Sequence, residues 1–241
     1  MKTLSILACS LAVLPFFSAP AAAQVQEMQV RSLAFQPDFP VELHAHDPSG
    51  SETAGLIEIK SFLNHEGNLL KYKGTGVSFT RRTNPASATN VDEVIGKVEF
   101  PTDTKSCILL FIPTSQLQGN FQSRVVAIDD SAKAFPSGSF KVVNFASVAV
   151  KIELEKEIYE IPPGELKVIT NAPFGEGQSV SMHAFCKRGE QWELVSTGVW
   201  TNPGTRRVLQ VVTEDPDKQI ELKGIRDVVI PDAPAPEVAA P

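Results

Sequence analysis

The stretch that decides the fold is residues 134–170, AFPSGSFKVVNFASVAVKIELEKEIYEIPPGELKVIT. Residues 148–155 alternate apolar and polar side chains, and this period of two is that of a β-strand with one buried and one solvated face. Pro162-Pro163-Gly164 predicts a turn, because proline presets φ and glycine tolerates positive φ. The stretch therefore predicts a small antiparallel β meander, and similar strand-and-turn patterns elsewhere predict an all-β chain.

The N-terminus has the pattern of a secretory signal peptide. Lys2 is the positive n-region, residues 4–17 form an apolar run, and Ala21-Ala22-Ala23 is a small-residue cleavage site. The alternative is a membrane anchor, but the run is shorter than the about 20 apolar residues that span a bilayer. We therefore expect a signal peptide at residues 1–23, a periplasmic or secreted location, and no membrane span in the mature chain.

Length and charge exclude some partners. Removal of 23 residues from the 241-residue chain leaves 218, and the net charge changes from −6 to −7 because Lys2 is the only charged residue removed. A mildly acidic chain with scattered charges argues against nucleic acid, which requires a basic stripe, and against anionic lipid surfaces. The length suits one large all-β domain or two of about 100 residues.

A faint internal repeat bears on the number of domains. Residues 96–101 lead through a polar turn into an apolar strand, and residues 198–203 do the same about 100 positions later, one sandwich domain's length. This predicts two tandem β-sandwiches packed together, at residues 24–114 and 115–228, followed by a Pro/Ala-rich disordered tail at 229–241. A single continuous sandwich is the alternative, because short turn-and-strand patterns recur in any β protein.

Two turn motifs carry a resemblance to a known family. Phe135-Pro136-x-Gly138-Ser139 precedes a strand that reaches Asn144, and Ile161-Pro162-Pro163-Gly164 follows. Over residues 121–169 this pattern resembles secreted bacterial immunoglobulin-like β domains, such as the periplasmic accessory protein of alginate O-acetylation and its uncharacterised relatives. The resemblance implies a non-catalytic exported antiparallel immunoglobulin-like β-sandwich. It does not extend to the first half, so it does not specify alginate as a ligand.

His44 and His46 are the best candidates for metal ligands. Residues two apart on a strand face the same way, so both imidazoles could reach one ion. Asp47 would point to the opposite side unless the strand ends there. The pair lacks the third ligand of the usual zinc pattern, and two surface histidines at a strand end are the alternative interpretation.

Trp192 and Trp200 are candidates for a carbohydrate-binding platform, since aromatic faces bind sugar rings. A lone tryptophan on a β-hairpin also commonly packs into a sandwich core, and this remains the alternative.

Two cysteines remain after cleavage, Cys107 and Cys186. An exported protein permits a disulfide between them. Each lies in an apolar strand-like run, so two buried free cysteines are the alternative. In addition, the apolar run at residues 107–112 predicts a central strand buried on both faces.

Catalytic patterns are weak. Gly177-Gln178-Ser179-Val180-Ser181 fails the nucleophile elbow at its last position. Gly74-Thr75-Gly76 lacks the third glycine of a dinucleotide site. We therefore predict a non-enzymatic exported protein without a cofactor, with a binding or structural accessory role in the cell envelope and an envelope protein or extracellular polymer as partner. A metal- or carbohydrate-binding accessory module is the alternative, and a hydrolase with an unrecognised site is a third hypothesis.

Overall fold

The computed structural model describes residues 24–35, 38–113 and 123–228, and these ranges contain sixteen β-strands and one 3-10 helix, Pro85–Thr89. The all-β prediction is confirmed. None of the helical structure described is long and apolar enough to cross a bilayer. The predicted signal peptide, the tail at 229–241 and the boundary between residues 114 and 115 lie outside the described residues.

The strands are β1 (Gln26–Ala34), β2 (Glu42–His46), β3 (Thr53–Lys60), β4 (Asn68–Tyr72), β5 (Gly76–Thr80), β6 (Val94–Glu99), β7 (Ser106–Pro113), β8 (Ser123–Asp129), β9 (Phe140–Asn144), β10 (Val150–Leu154), β11 (Glu157–Ile161), β12 (Leu166–Ile169), β13 (Ser179–Arg188), β14 (Gln191–Thr201), β15 (Arg206–Glu214) and β16 (Ile220–Val228).

The first half of the chain forms one eight-stranded sheet, here called the first sheet, in the order β6-β5-β2-β3-β1-β7-β8, with β4 also paired to β1. Gly96 on β6 lies so close to β8 that a Cβ built on it would be 2.9 Å from the carbonyl oxygen of Ser123 and in collision with Val125. The end strands therefore lie against each other and the sheet curls almost into a barrel. The sequence predicted a two-sheet sandwich here, and the structure has a single curled sheet instead.

The second half of the chain forms two four-stranded sheets. We call β12-β9-β15-β16 the middle sheet and β11-β10-β13-β14 the outer sheet. The expectation of purely antiparallel pairing is wrong at three places, because β1 runs parallel to β3 and to β7, and β9 runs parallel to β15. Side-chain alternation reports which face is buried but carries no information about strand direction.

The decisive stretch is divided between the two sheets and is not one meander. β9 pairs with β12 in the middle sheet, whereas β10 pairs with β11 in the outer sheet. Asn144 holds the two crossovers together: its side-chain amide donates to the carbonyl oxygens of Val148 at 2.9 Å and Ile161 at 2.9 Å, and its oxygen accepts from the N–H of Ala146 at 3.0 Å. The buried amide therefore satisfies backbone groups at the two places where the chain changes sheet, and its own oxygen and nitrogen are both hydrogen-bonded.

Three hydrophobic clusters fill the spaces that the sheets enclose. One lies inside the first sheet and includes Phe79 and Phe111; a second lies between the middle and outer sheets and includes Phe140 and Trp200. The third lies between the first and middle sheets. There Leu110 of β7 shares a cluster with four apolar residues of the middle sheet, Val143, Leu209, Val211 and Ile225. β7 contributes to clusters on both of its sides, which confirms the predicted central strand.

Four ionised side chains lie beside that third cluster and join the two halves. They are Arg31 on β1, Asp130 after β8, Arg207 on β15 and Asp227 on β16, and the most exposed of them, Asp130, has 6% of its side chain accessible. The ion pairs Arg31–Asp227 at 2.7 Å and Arg207–Asp227 at 2.8 Å are accompanied by the pairing of both arginines with Asp130. We call this set the buried ion network. Two positive and two negative charges cancel, which limits the cost of burying them.

Candidate functional site

The outer face of the outer sheet carries the most distinctive surface of the second half. Along β13 the side chains of Val180, Met182, Ala184 and Cys186 point into the molecule, and those between them point to solvent. The predicted alternation in β10 is confirmed in the same way, with Val150, Ile152 and Leu154 buried. The outward positions of neighbouring strands therefore meet on one surface.

Two aromatic rings and two lysines meet on this face. The ammonium nitrogen of Lys151 lies 4.3 Å from the ring centre of Phe185 and 5.2 Å from that of Trp192, and the ammonium of Lys187 lies 5.9 Å from the Trp192 ring. Leu194 lies opposite Phe185 in the strand register and has 56% of its surface exposed. We call these five residues the aromatic–lysine patch. Cation–π attraction aligns the lysines with the rings and keeps positive charge beside an apolar surface.

Local geometry explains why the patch is confined to one end of the sheet. The register between β13 and β14 shifts after the pair Phe185–Leu194, where Val195 is inserted as a β-bulge. Val195 packs against the core, so Leu194 before it and Thr197 after it both stay on the outer face. Lys151 is also held by an ion pair with Glu153 at 2.7 Å, which fixes its position between the two rings.

The two tryptophans have different environments. Trp192 is half-buried on the outer face, as a surface platform requires. Trp200 is only 6% exposed and stacks on Phe140, with ring centres 4.5 Å apart and planes inclined by 19°. Trp200 follows the alternative, core packing, because its side chain points to the opposite side of β14 and fills the core. The carbohydrate platform stays a prediction that rests on Trp192.

The histidine pair lies at the end of β2. The imidazole rings of His44 and His46 share a face, as the period of two predicts, with centres 6.1 Å apart. His46 is fully buried, and its Nε2 and Nδ1 lie 2.8 Å from the carbonyl oxygen of Arg82 and 3.1 Å from the hydroxyl of Thr53. Burial lowers the pKa of His46, so the ring is neutral: Nε2–H donates to the carbonyl and Nδ1 accepts from the hydroxyl.

A metal ion at this pair would have to displace a protein hydrogen bond of His46. Among residues 24–35, 38–113 and 123–228, no group of three or more His, Cys, Asp or Glu side chains is placed to hold a metal ion. The metal site at His44 and His46 therefore stays a prediction, and the contacts of His46 are those of a structural histidine.

The cysteines are free thiols in separate places. Cys107 lies in the cluster inside the first sheet, and Cys186 lies on the inward face of the outer sheet. The middle sheet stands between them, so the predicted disulfide does not form in this structure. Burial raises the pKa of the Cys107 thiol to about 12, with the nearby charges of Asp129 and Asp130 adding to the effect. Cys107 is therefore protonated and unreactive at neutral pH.

Two groups of functional residues in the structure have weak or absent signals in the sequence. The Phe185–Lys151 part of the patch was signalled by the alternation in β10 and β13, but the lateral alignment of the two strands could not be read from one strand's pattern. The buried ion network had no signal at all, because single charges scattered over four elements look like ordinary solvated side chains. Asp129, next to Asp130 in the sequence, makes an ordinary turn contact, because its carboxylate accepts from the N–H of Ser131 at 2.9 Å.

No family model matches the chain, and no curated protein matches it. Among solved structures, one match is a Parabacteroides distasonis protein described as a candidate for cell adhesion, with 7% identity, a TM-score of 0.17, and coverage of 88% of this chain and 99% of that chain. A TM-score of this size carries no argument about function.

Proposed function

We propose that the chain is an exported, non-enzymatic β protein with a binding or structural accessory role in the cell envelope. Its export is supported by the sequence pattern of residues 1–23. Its partner is an envelope protein or an extracellular polymer. The single observation that carries a binding role is the aromatic–lysine patch, because partly exposed aromatic rings grouped on a rigid sheet are the commonest anchors of a recognition surface.

We also propose that the second half of the chain is an immunoglobulin-like β-sandwich. The second half has two four-stranded sheets around one core, which is the architecture of a β-sandwich. Asn144 and the turn after Ile161, the two motifs that carried the resemblance, meet through a hydrogen bond at the crossover between the sheets. These features support an immunoglobulin-like sandwich similar to those of secreted bacterial accessory proteins.

A carbohydrate-binding accessory module is the second candidate function, and Trp192 is the observation that favours it. The ring is partly exposed on the outer face, and the ammonium of Lys151 lies between it and the ring of Phe185, so a sugar ring could stack on Trp192 while its hydroxyls meet a hydrogen-bond donor. Trp200 does not contribute. The metal-binding variant of this candidate rests on His44 and His46 alone.

Export is tested by expressing the full chain in a bacterial host, fractionating the cells and measuring the intact mass. We expect a periplasmic or secreted product that begins at Gln24. A cytoplasmic full-length product, or an exported product that still contains Phe16 and Phe17, would contradict the proposal.

Binding is tested by isothermal titration calorimetry of the exported protein and its variants with soluble fragments of envelope polysaccharides and peptidoglycan, and tryptophan fluorescence is recorded in parallel for the unmodified chain. Because Trp200 is buried, a change reports on Trp192. Trp192→Ala should weaken binding by about tenfold, since truncation of an aromatic anchor commonly costs more than 1 kcal/mol. Leu166→Ala is the matched control, because Leu166 is 50% exposed on β12, away from the patch. No response to any polymer would remove the carbohydrate candidate, and equal binding by both variants would exclude the patch.

A further inference from the structure

The free edge of β14 differs from every other strand edge in the described part of the second half. β14 is eleven residues long, contains no proline, and carries one charged side chain, Glu193, near its beginning. By contrast, β12 has four residues, β11 contains two glutamates and is followed by Pro162-Pro163, and β16 carries four charged residues. Short length, charge and proline protect sheet edges from pairing with other chains. β14 has one other protective feature, the β-bulge at Val195, and residues 196–201 after it pair regularly with β13. In the first sheet the end strands cover each other.

The hydrogen-bonding groups of β14 that face outward can be identified from its pairing with β13. The N–H of Asn202 donates to the carbonyl oxygen of Gln178 at 2.8 Å, so this is a hydrogen-bonded pair of the antiparallel ladder. Such pairs alternate with non-hydrogen-bonded ones. Val199 therefore occupies a non-hydrogen-bonded pair with Ser181. The backbone groups of Ser181 point away from β14: its N–H donates to the carboxylate of Glu155 at 3.2 Å, and its carbonyl oxygen accepts from the N–H of Glu155 at 3.3 Å.

It follows that Thr197, Val199 and Thr201 direct their backbone N–H and C=O groups away from β13, towards the free edge. No hydrogen bond beyond the β13 ladder reaches these backbone groups from the residues that the structure describes. The side chains of all three are exposed on the outer face, and Val199 is the most exposed large apolar residue of the strand, at 68%.

We propose that a second copy of this chain pairs with this edge, β14 against β14 in antiparallel orientation, with Val199 opposite Val199 at the two-fold axis. In that register Thr197 lies opposite Thr201 of the other copy. All three residues direct their backbone hydrogen-bonding groups to the free edge, so about six backbone hydrogen bonds form. The side chain of Arg226, which donates to the hydroxyl of Thr201 at 3.5 Å, turns away from the end of this segment.

The self-complementarity of the segment selects a second copy over an unrelated strand. Val–Val and Thr–Thr are favourable cross-strand pairs, and residues 194–201 contain no charged side chain, so the two-fold axis brings no like charges together. Registers shifted towards the beginning of β14 bring the β-bulge at Val195 into the paired segment, where the inward and outward side chains of the two copies no longer match. The outer sheets of the two copies then form one eight-stranded sheet, with both aromatic–lysine patches on the same face.

Sedimentation equilibrium over a range of protein concentrations tests the proposal. The contact is short, so we expect a reversible monomer–dimer equilibrium in which the dimer fraction rises with concentration. Val199→Lys should leave a monomer throughout, because it places two ammonium groups opposite each other at the axis. Leu194→Lys adds the same charge to the same face of the same strand, outside the paired segment, and should dimerise like the unmodified chain.

Two further variants exclude misfolding as an explanation. Val199→Pro removes only an outward-facing N–H and should abolish the dimer while circular dichroism and melting temperature show an intact monomer. Val199→Cys should give a disulfide-linked dimer under mild oxidation, whereas Leu194→Cys should not; the native thiols are buried and do not interfere. A chain that stays monomeric at all concentrations, or a dimer that survives Val199→Lys with the folded monomer intact, would overturn the proposal.

Discussion

Arg31 and Asp227 are 196 positions apart in the sequence, and two hydrogen bonds of 2.7 and 2.8 Å join their side chains in the interior. Arg31 also donates to the carbonyl oxygen of Leu63, and Arg207 to that of Phe135, so the guanidinium groups are well satisfied. Burial opposes the charge of Arg31, but its hydrogen bonds to Asp227 and the charges of both aspartates outweigh burial and raise its pKa. Arg31 therefore keeps its charge in the interior, whereas burial raises the pKa of Asp130 against the attraction of both arginines. The network ties the first half of the chain to the second.

Removal of one member of this network should strongly destabilise the protein. Asp227→Ala leaves Arg31 and Arg207 buried with only Asp130 as a counter-charge, and breaking a buried ion pair costs about 3 to 5 kcal/mol. Urea denaturation measures the loss. Glu27→Ala is the control, because it breaks the Lys71–Glu27 pair, whose side chains are more than half exposed, and such pairs contribute about 0 to 1 kcal/mol. Equal effects of the two substitutions would show that the network contributes no more than a surface pair.

The same network bears on cooperativity. Because it and the third hydrophobic cluster both join the halves, we expect one calorimetric transition for the unmodified chain and two for Asp227→Ala if residues 24–114 and 115–228 are separate domains. A single transition in both proteins would favour one continuous domain.

Closure of the first sheet depends on a missing side chain at Gly96. A Cβ at this position would collide with Val125 and lie 2.9 Å from the carbonyl oxygen of Ser123, so Gly96→Ala must push β6 away from β8. Overpacking of this kind costs roughly 1 to 3 kcal/mol. Gly175→Ala is the control, since its nearest atom, the carbonyl oxygen of Ser179, is 3.9 Å away. Comparable melting temperatures for the two variants would mean that β6 and β8 are not in contact in solution.

Much of the local structure could be predicted from the sequence, because alternation and turn residues are local signals. The buried face of β10 and the central position of β7 followed from their own side chains. Pairing was harder: β1 lies parallel to β7 and β9 parallel to β15, and only long-range packing selects these partners. The turn between β10 and β11 was missed because Glu155, at φ 52°, has the left-handed conformation without being a glycine.

The candidate site was predicted only in part, for a related reason. Trp192 and Trp200 are chemically alike in the sequence. They are an even number of positions apart, so regular alternation would place both on one face of β14, and the β-bulge at Val195 places them on opposite faces. Lys151 could be placed on a solvated strand face from its alternation. Its alignment with Phe185 depends on the register between β10 and β13, which no local pattern encodes.

The cysteines provide a direct chemical test. With both thiols free and buried, we expect the exported protein to show two reactive thiols after denaturation without reductant, and almost none in the native state. A thiol reagent followed by absorbance measures both values. Complete absence of thiols in the denatured monomer would mean that Cys107 and Cys186 are bonded, and that the sheets are arranged differently from the structure.

Lys141 should make the protein more stable as the pH rises above neutral. Its side chain is 1% exposed, donates to the carbonyl oxygen of Asp129 at 3.0 Å, and lies 4.9 Å from the ring centre of Phe135. Burial lowers its pKa to about 8 from 10.5, against the attraction of Asp129, and the positive charge of Arg207 adds to the lowering. Between these values the unfolded chain binds more protons at this lysine than the folded chain does.

Stability contributed by this site therefore rises as the pH increases from about 8 to 10.5. The thiol of Cys107 has the opposite effect on stability above its ordinary pKa of 9.0, because its pKa is raised to about 12 in the folded chain. The effect of Lys141 on the free energy of unfolding is therefore clearest between pH 8 and 9. The free energy of unfolding, measured by urea denaturation across that window, should increase for the unmodified chain and stay flatter for Lys141→Met, a substitution of similar length without the charge. Lys133→Met, which removes a lysine that is not fully buried, is the control and should keep the rise. Parallel curves for the unmodified chain and Lys141→Met would show that folding does not lower the pKa of Lys141.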